Sequence, residues 1–156
     1  MSTYHATIRW TRGTDEFLKQ QYSRGHTWHF DEGLVVPASA SPHIVRPPHA
    51  VAAAVDPEEA VVAALSGCHM LFALSLLSKH GAVVESYEDA AEGVMEKRAD
   101  GKTALTRVTL RPVITVSAGA PSAELFAKIH HDAHEECYIA NSVNFPVLVE
   151  PRLVLR

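Results

Sequence analysis

Two thiols are the side chains in this sequence best suited to chemistry. Cys68 falls in Ala63-Ala64-Leu65-Ser66-Gly67-Cys68-His69, and Cys137 in His134-Glu135-Glu136-Cys137-Tyr138. Met1 to Trp10 alternates in polarity and lacks the charged-then-apolar order of a secretory leader, so a cytoplasmic location is expected. Cysteines there rarely form a permanent staple. They are buried bystanders, redox groups or metal ligands. The two are also unequal. Cys68 sits in a run, Ala60 to Ser78, that carries no fixed charge. Apolar burial alone raises a thiol pKa, so a reactive Cys68 needs a cation brought from elsewhere in the fold. Cys137 lies among carboxylates near an expected helix C-terminus, and both disfavour a thiolate. It can still condense with an oxidised sulfur, because a sulfenic acid and a thiol give a disulfide and water.

The ten histidines open a second chemistry. His130, His134 and Cys137 recur at helical spacing and could share one face. With Cys68 and His69 they would make an imidazole and thiolate set suited to zinc or copper. The tight paired spacings of closed zinc sites are missing. His69 reads otherwise as a hydrogen-bonded core histidine, and Trp10 and Trp28 as packing residues. In a third reading both cysteines are inert and the protein is a structural dimer.

The element that carries Cys68 is the clearest in the sequence. Asp56-Pro57-Glu58-Glu59 supplies an N-cap, a proline at the first helical position and a capping-box acid. Lys79-His80-Gly81 supplies the stop. The apolar residues between run around the whole circumference, so the helix is expected to be buried on all sides. Its length approaches a membrane span, but Ser66, His69, Ser75 and Ser78 interrupt it and no second span appears. Ala60, Ala63, Ala64 and Gly67 form a small-residue face open to a close helix.

Before this helix, Thr3 to Thr11 is expected as a strand and Arg12 to Gln21 as a loop. His26 to Phe30 and Leu34 to Val36 should form a hairpin about Asp31-Glu32-Gly33. Pro37 to Val55 should be irregular. After it, two long strands, Glu85 to Lys97 and Thr103 to Ser117, should pair across Asp100-Gly101, with Pro112 marking an edge or bulge. A second helix is expected from Pro121 to about Ile139, then a last strand, Val143 to Leu155, broken near Pro146 and Pro151. The order is that of an α+β fold, and the length suits a single domain over 1–156. The composition is 47% hydrophobic and 21% charged, with net charge −4. That fits a soluble globular chain and argues against a nucleic-acid or membrane partner.

The run from Asp56 to His69 resembles the signature of the OsmC/Ohr family: Asx-Pro-Glu, an alanine-rich helix, then cysteine at matching spacing. The hairpin, second helix and C-terminal cysteine follow in the family order, so the resemblance covers nearly the whole chain. It implies an intertwined homodimer in which antiparallel sheets wrap a long central helix. It implies reduction of organic hydroperoxides, and of hydrogen peroxide, with a dihydrolipoyl-type dithiol as reductant and no metal or organic cofactor. By that resemblance Cys68 is the peroxide-attacking cysteine and Cys137 its disulfide partner. Glu58 is the active-site glutamate, and Arg24, with Arg46 as rival, the arginine. Two departures stand out. Tyr138 follows Cys137 where many members have proline, and His69-Met70 follows Cys68 where many have phenylalanine.

Overall fold

A computed structural model describes all residues, 1–156. The chain divides into two compact units, Met1–Ala60 and Val61–Arg156.

The first unit holds an antiparallel sheet in the order β1 (Thr7–Arg9), β2 (His26–His29), β3 (Val35–Ala38). The strand expected over Thr3 to Thr11 is therefore only three residues long. Its pairing runs from Thr7 opposite His29 to Arg9 opposite Thr27. Trp10 then leaves the ladder, donates its indole N–H to the Ser23 carbonyl and packs against Phe17 and Tyr22. The expected β2–β3 hairpin is present. Its turn places Glu32 and Gly33 at positive φ, and the Phe30 N–H closes it on the Leu34 carbonyl. The proline-rich segment is irregular, as expected. Fully buried Ser39 organises it by accepting the Val51 N–H at 2.9 Å.

Helix α1 (Pro57–Lys79) starts where the capping box placed it. The Glu59 N–H donates to Asp56 Oδ1 at 2.8 Å, and the Asp56 N–H to Glu59 Oε2 at 3.2 Å. The helix stops before Gly81, which takes φ +83°. One expectation fails. Within this chain α1 is buried only along the stripe Leu65, His69, Ala73 and Leu77, whose four-residue spacing marks a single face. Leu71 is 66% exposed. The other large apolar residues of the helix are half-buried, with Val61, Val62 and Leu76 packed against the two cores. The helix is long and apolar enough to cross a membrane by length and composition.

The second unit contains two mixed sheets, ordered β4-β7-β9 and β5-β6-β8. The strands are β4 (Val83–Asp89), β5 (Glu92–Lys97), β6 (Thr103–Leu110), β7 (Pro112–Ala118), β8 (Val147–Val149) and β9 (Arg152–Leu155). The Asp100-Gly101 hairpin joins β5 to β6, but both expected long strands break midway. Asp89 makes the break: its Oδ1 accepts the Arg111 N–H at 2.6 Å. Pro112 opens β7 at that corner, in a central strand rather than at an edge or bulge. A first-residue position tolerates its missing N–H. β8 and β9 pair parallel with β6 and β7, so the sheets are mixed rather than antiparallel.

Helix α2 (Ala123–Glu136) is capped by Ser122, whose hydroxyl accepts the Leu125 N–H. It is shorter than expected and leaves Cys137 at its C-cap in extended backbone. Leu77 of α1 joins Phe126 and Ile129 of α2 and Ile114 and Val116 of β7 in one core. Leu65 joins Val108 and Leu110 in another, ringed by Ile139, Phe145 and Val147.

Candidate active site

The second unit brings the two cysteines together, although they lie far apart in sequence. Cys68, half-buried on α1, lies close enough to Cys137 to perturb its thiol; both are free thiols, and Cys137 is 1% exposed. Burial first, and the nearby Cys68 second, push the Cys137 thiol up to about 11. The Ala140 N–H, which donates to Cys137 Sγ at 3.4 Å, opposes that shift only in part. Cys137 is therefore a protonated thiol at neutral pH, poised against its neighbour.

Two further contacts tie the neighbourhood of the thiols together. Ser66, two residues before Cys68, donates its hydroxyl to Asp89 Oδ2 at 2.5 Å. The same carboxylate that bends the hairpin thus anchors α1. His69 Nε2 meets His130 Nδ1 of α2 at 3.0 Å, with the rings stacked at 5.2 Å. Desolvation lowers both imidazoles to about 4, helped by His134 at His69 and by His69 at His130; Asp89 acts the other way on His69. Both rings are neutral at pH 7. One proton lies between them, and His69 Nδ1 and His130 Nε2 are buried without partners. His69 is thus the hydrogen-bonded core histidine its sequence position suggested. Its partner, 61 residues away, left no local signal.

This geometry corrects the metal reading. His130 is committed to His69, and no three His, Cys, Asp or Glu side chains converge as a metal site. The shared helical face of His130, His134 and Cys137 is not a ligand set.

The first unit holds the two other expected residues. Arg24 donates to the carbonyls of Gln20 and Tyr22 at 3.0 and 2.5 Å, and its guanidinium lies 3.7 Å from the Tyr22 ring centroid. Glu58, in the first turn of α1, makes no ion pair with Arg24, and its Oε2 is buried without a partner. Arg46 is exposed in the proline-rich segment.

An α+β fold with a cysteine on a long capped helix, set against a second cysteine at the end of another, defines the class. Residues 50–152 match the family model of OsmC-like proteins, and the chain belongs to that family. An OsmC-like protein of unknown function from Vibrio cholerae is 50% identical, with TM-score 0.94 over 97% of this chain and 99% of that one. An organic hydroperoxide resistance protein from Elizabethkingia anophelis shares the fold at 13% identity and TM-score 0.68, over 100% and 98% of the two chains. OhrB of Bacillus subtilis, an organic hydroperoxide resistance protein, does so at 18% and 0.60, over 98% of each. No curated protein matches the sequence.

Proposed function

We propose that the protein is a thiol-dependent peroxidase that reduces organic hydroperoxides in the cytoplasm, working as a homodimer. The observation that carries this is the proximity of Cys68 to Cys137. A half-buried thiol on a charge-free helix neighbours a second, protonated thiol, as a dithiol cycle needs. The family, and the hydroperoxide resistance proteins among its structural relatives, support the substrate class.

In this reading the Cys68 thiolate attacks the distal peroxide oxygen. The O–O bond breaks, Cys68 becomes a sulfenic acid, and the alkoxide takes a proton and leaves as the alcohol. Cys137 then attacks the oxidised sulfur, expelling water and forming the disulfide. A dihydrolipoyl-type dithiol reduces it by exchange. Arg24 is the cation assigned to favour the thiolate and the departing oxygen. Glu58 is its carboxylate, because a buried acceptor without a donor is the place a planar guanidinium would satisfy. Because Arg24 and Glu58 do not pair within one chain, the arginine is assigned to the partner copy. The incomplete burial of α1, where Leu71 is 66% exposed, supports dimerisation.

The test is hydroperoxide consumption by purified protein with a dithiol donor. Wild-type protein should turn over, and should lose two thiols after one equivalent of peroxide. Cys68→Ser should abolish turnover. Arg24→Ala should slow it roughly a hundredfold, with Arg46→Ala near wild type. A peroxide-treated protein that keeps both thiols would end this assignment.

A further inference from the structure

Phe72 lies one turn beyond Cys68 on α1, on the same face. Tyr138 directly follows Cys137. Their rings meet edge to face, with centroids 5.2 Å apart and planes at 88°. Residues near the two thiols in the chain thus meet each other. Just beyond Tyr138, Ile139 and Ala140 pack around Leu65, Val108 and Leu110. The turn after Cys137 is also fastened to itself. The Asn141 N–H donates to the Cys137 carbonyl at 3.0 Å, and the Ser142 hydroxyl to the Tyr138 carbonyl at 2.7 Å. Those two bonds fix the turn without tying it to α1. The packing of Ile139 and Ala140 on Leu65 ties its far end to α1, and the Tyr138 ring ties the end next to Cys137, although that residue is 70% exposed.

We propose that the Phe72–Tyr138 ring pair is a positioning clamp that holds the Cys137 thiol against Cys68, and so sets the equilibrium and rate of disulfide formation between them. The clamp rests on the proposed function only in treating the two thiols as a redox pair. An edge-to-face pair favours its closed geometry by roughly three- to tenfold. That preference is carried into the effective concentration of one thiol at the other.

Glutathione measures this quantity without any peroxide. The protein dithiol and one glutathione disulfide give the protein disulfide and two glutathione thiols, so two protein thiols are oxidised as one glutathione disulfide is reduced. The equilibrium is read in a series of glutathione buffers for wild type, Tyr138→Ala, Tyr138→Phe and Phe72→Leu. Tyr138→Ala should lower the effective concentration roughly three- to tenfold, and Tyr138→Phe, which keeps the ring, should restore it. Phe72→Leu should show the same loss, and it covers the case in which Tyr138→Ala fails to fold. With peroxide as oxidant, Tyr138→Ala should also leave more Cys68 sulfenic acid open to dimedone. An unchanged effective concentration in Tyr138→Ala or Phe72→Leu overturns the clamp. So does an equal loss in Tyr138→Phe, which would assign the effect to the phenol hydroxyl. A wild-type pair that glutathione disulfide cannot close overturns it as well. A Tyr138-dependent equilibrium in a protein without hydroperoxide turnover would leave the clamp standing and remove the peroxidase reading.

Discussion

Acidification should destabilise this protein through His69 and His130. In the folded chain both imidazoles sit at about 4, against 6.5 for an ordinary histidine, because burial opposes the charged form. The unfolded chain therefore binds more protons between those values, and stability falls as pH drops from about 6.5 toward about 4. Above that window the rings are neutral in both states and the effect vanishes. For one such ring, moving from about pH 7 to about pH 5 costs about 2 kcal/mol. The rings share a proton site, so the pair costs between about 2 and about 4 kcal/mol. Urea unfolding at fixed protein concentration, repeated across this range, reads the loss directly. A His69→Leu, His130→Leu double variant removes both titrating groups and should flatten the dependence by that amount. His130→Leu alone should cost about 1–3 kcal/mol even at neutral pH, because it strands His69 Nε2 without a partner. If wild type and double variant lost the same stability on acidification, the burial of this pair would have nothing to do with acid sensitivity, and the reasoning would be refuted.

Three further outcomes are expected. In Cys68→Ser the remaining Cys137 thiol should alkylate slowly at neutral pH, because burial keeps it protonated; its rate should climb about tenfold per pH unit toward the titration point. Fast labelling at neutral pH would contradict this. Asp89→Ala should cost about 2–3 kcal/mol in urea unfolding, since one carboxylate holds both Ser66 and the Arg111 N–H; an unchanged midpoint would show that these bonds do not brace α1. Gly119→Ala should cost more than about 3 kcal/mol, because the residue takes φ +64° and a Cβ would lie 2.0 Å from the Gly81 carbonyl oxygen; near-wild-type stability would mean the backbone yields there.

What the sequence made legible was local. The Asp56–Glu59 capping box, the Asp100-Gly101 hairpin and the turn at Gly33 each depend on residues within a few positions, and each formed where expected. The break in the long hairpin did not show. No turn residue marks Ala90-Ala91, and the corner is made by an Asp89–Arg111 bond spanning 22 positions. The parallel pairing of β8 and β9 is invisible for the same reason. The burial of α1 misled in a different way. Its apolar circumference suggested full burial all round, whereas only the stripe Leu65, His69, Ala73 and Leu77 is fully buried and the other large apolar residues are half-buried or, like Leu71, exposed. For the site, the sequence pointed to a protonated Cys137 through nearby carboxylates, whereas burial is the main cause of its raised pKa. The meeting of the two thiols was not legible, and came only through the family resemblance. The His69–His130 pair between α1 and α2, and the Phe72–Tyr138 pair between α1 and the turn after α2, were foreseen by neither route.

The parallel pairing of β8 and β9 also dictates an order of events during synthesis. β6 and β7 each receive a neighbour from residues 147–155, translated some forty positions later. Neither sheet can close until that stretch has left the ribosome. Through that interval the apolar Cys68 helix is out ahead of the last strands of both sheets, so apolar surface stays open longest in the nascent chain at this stage.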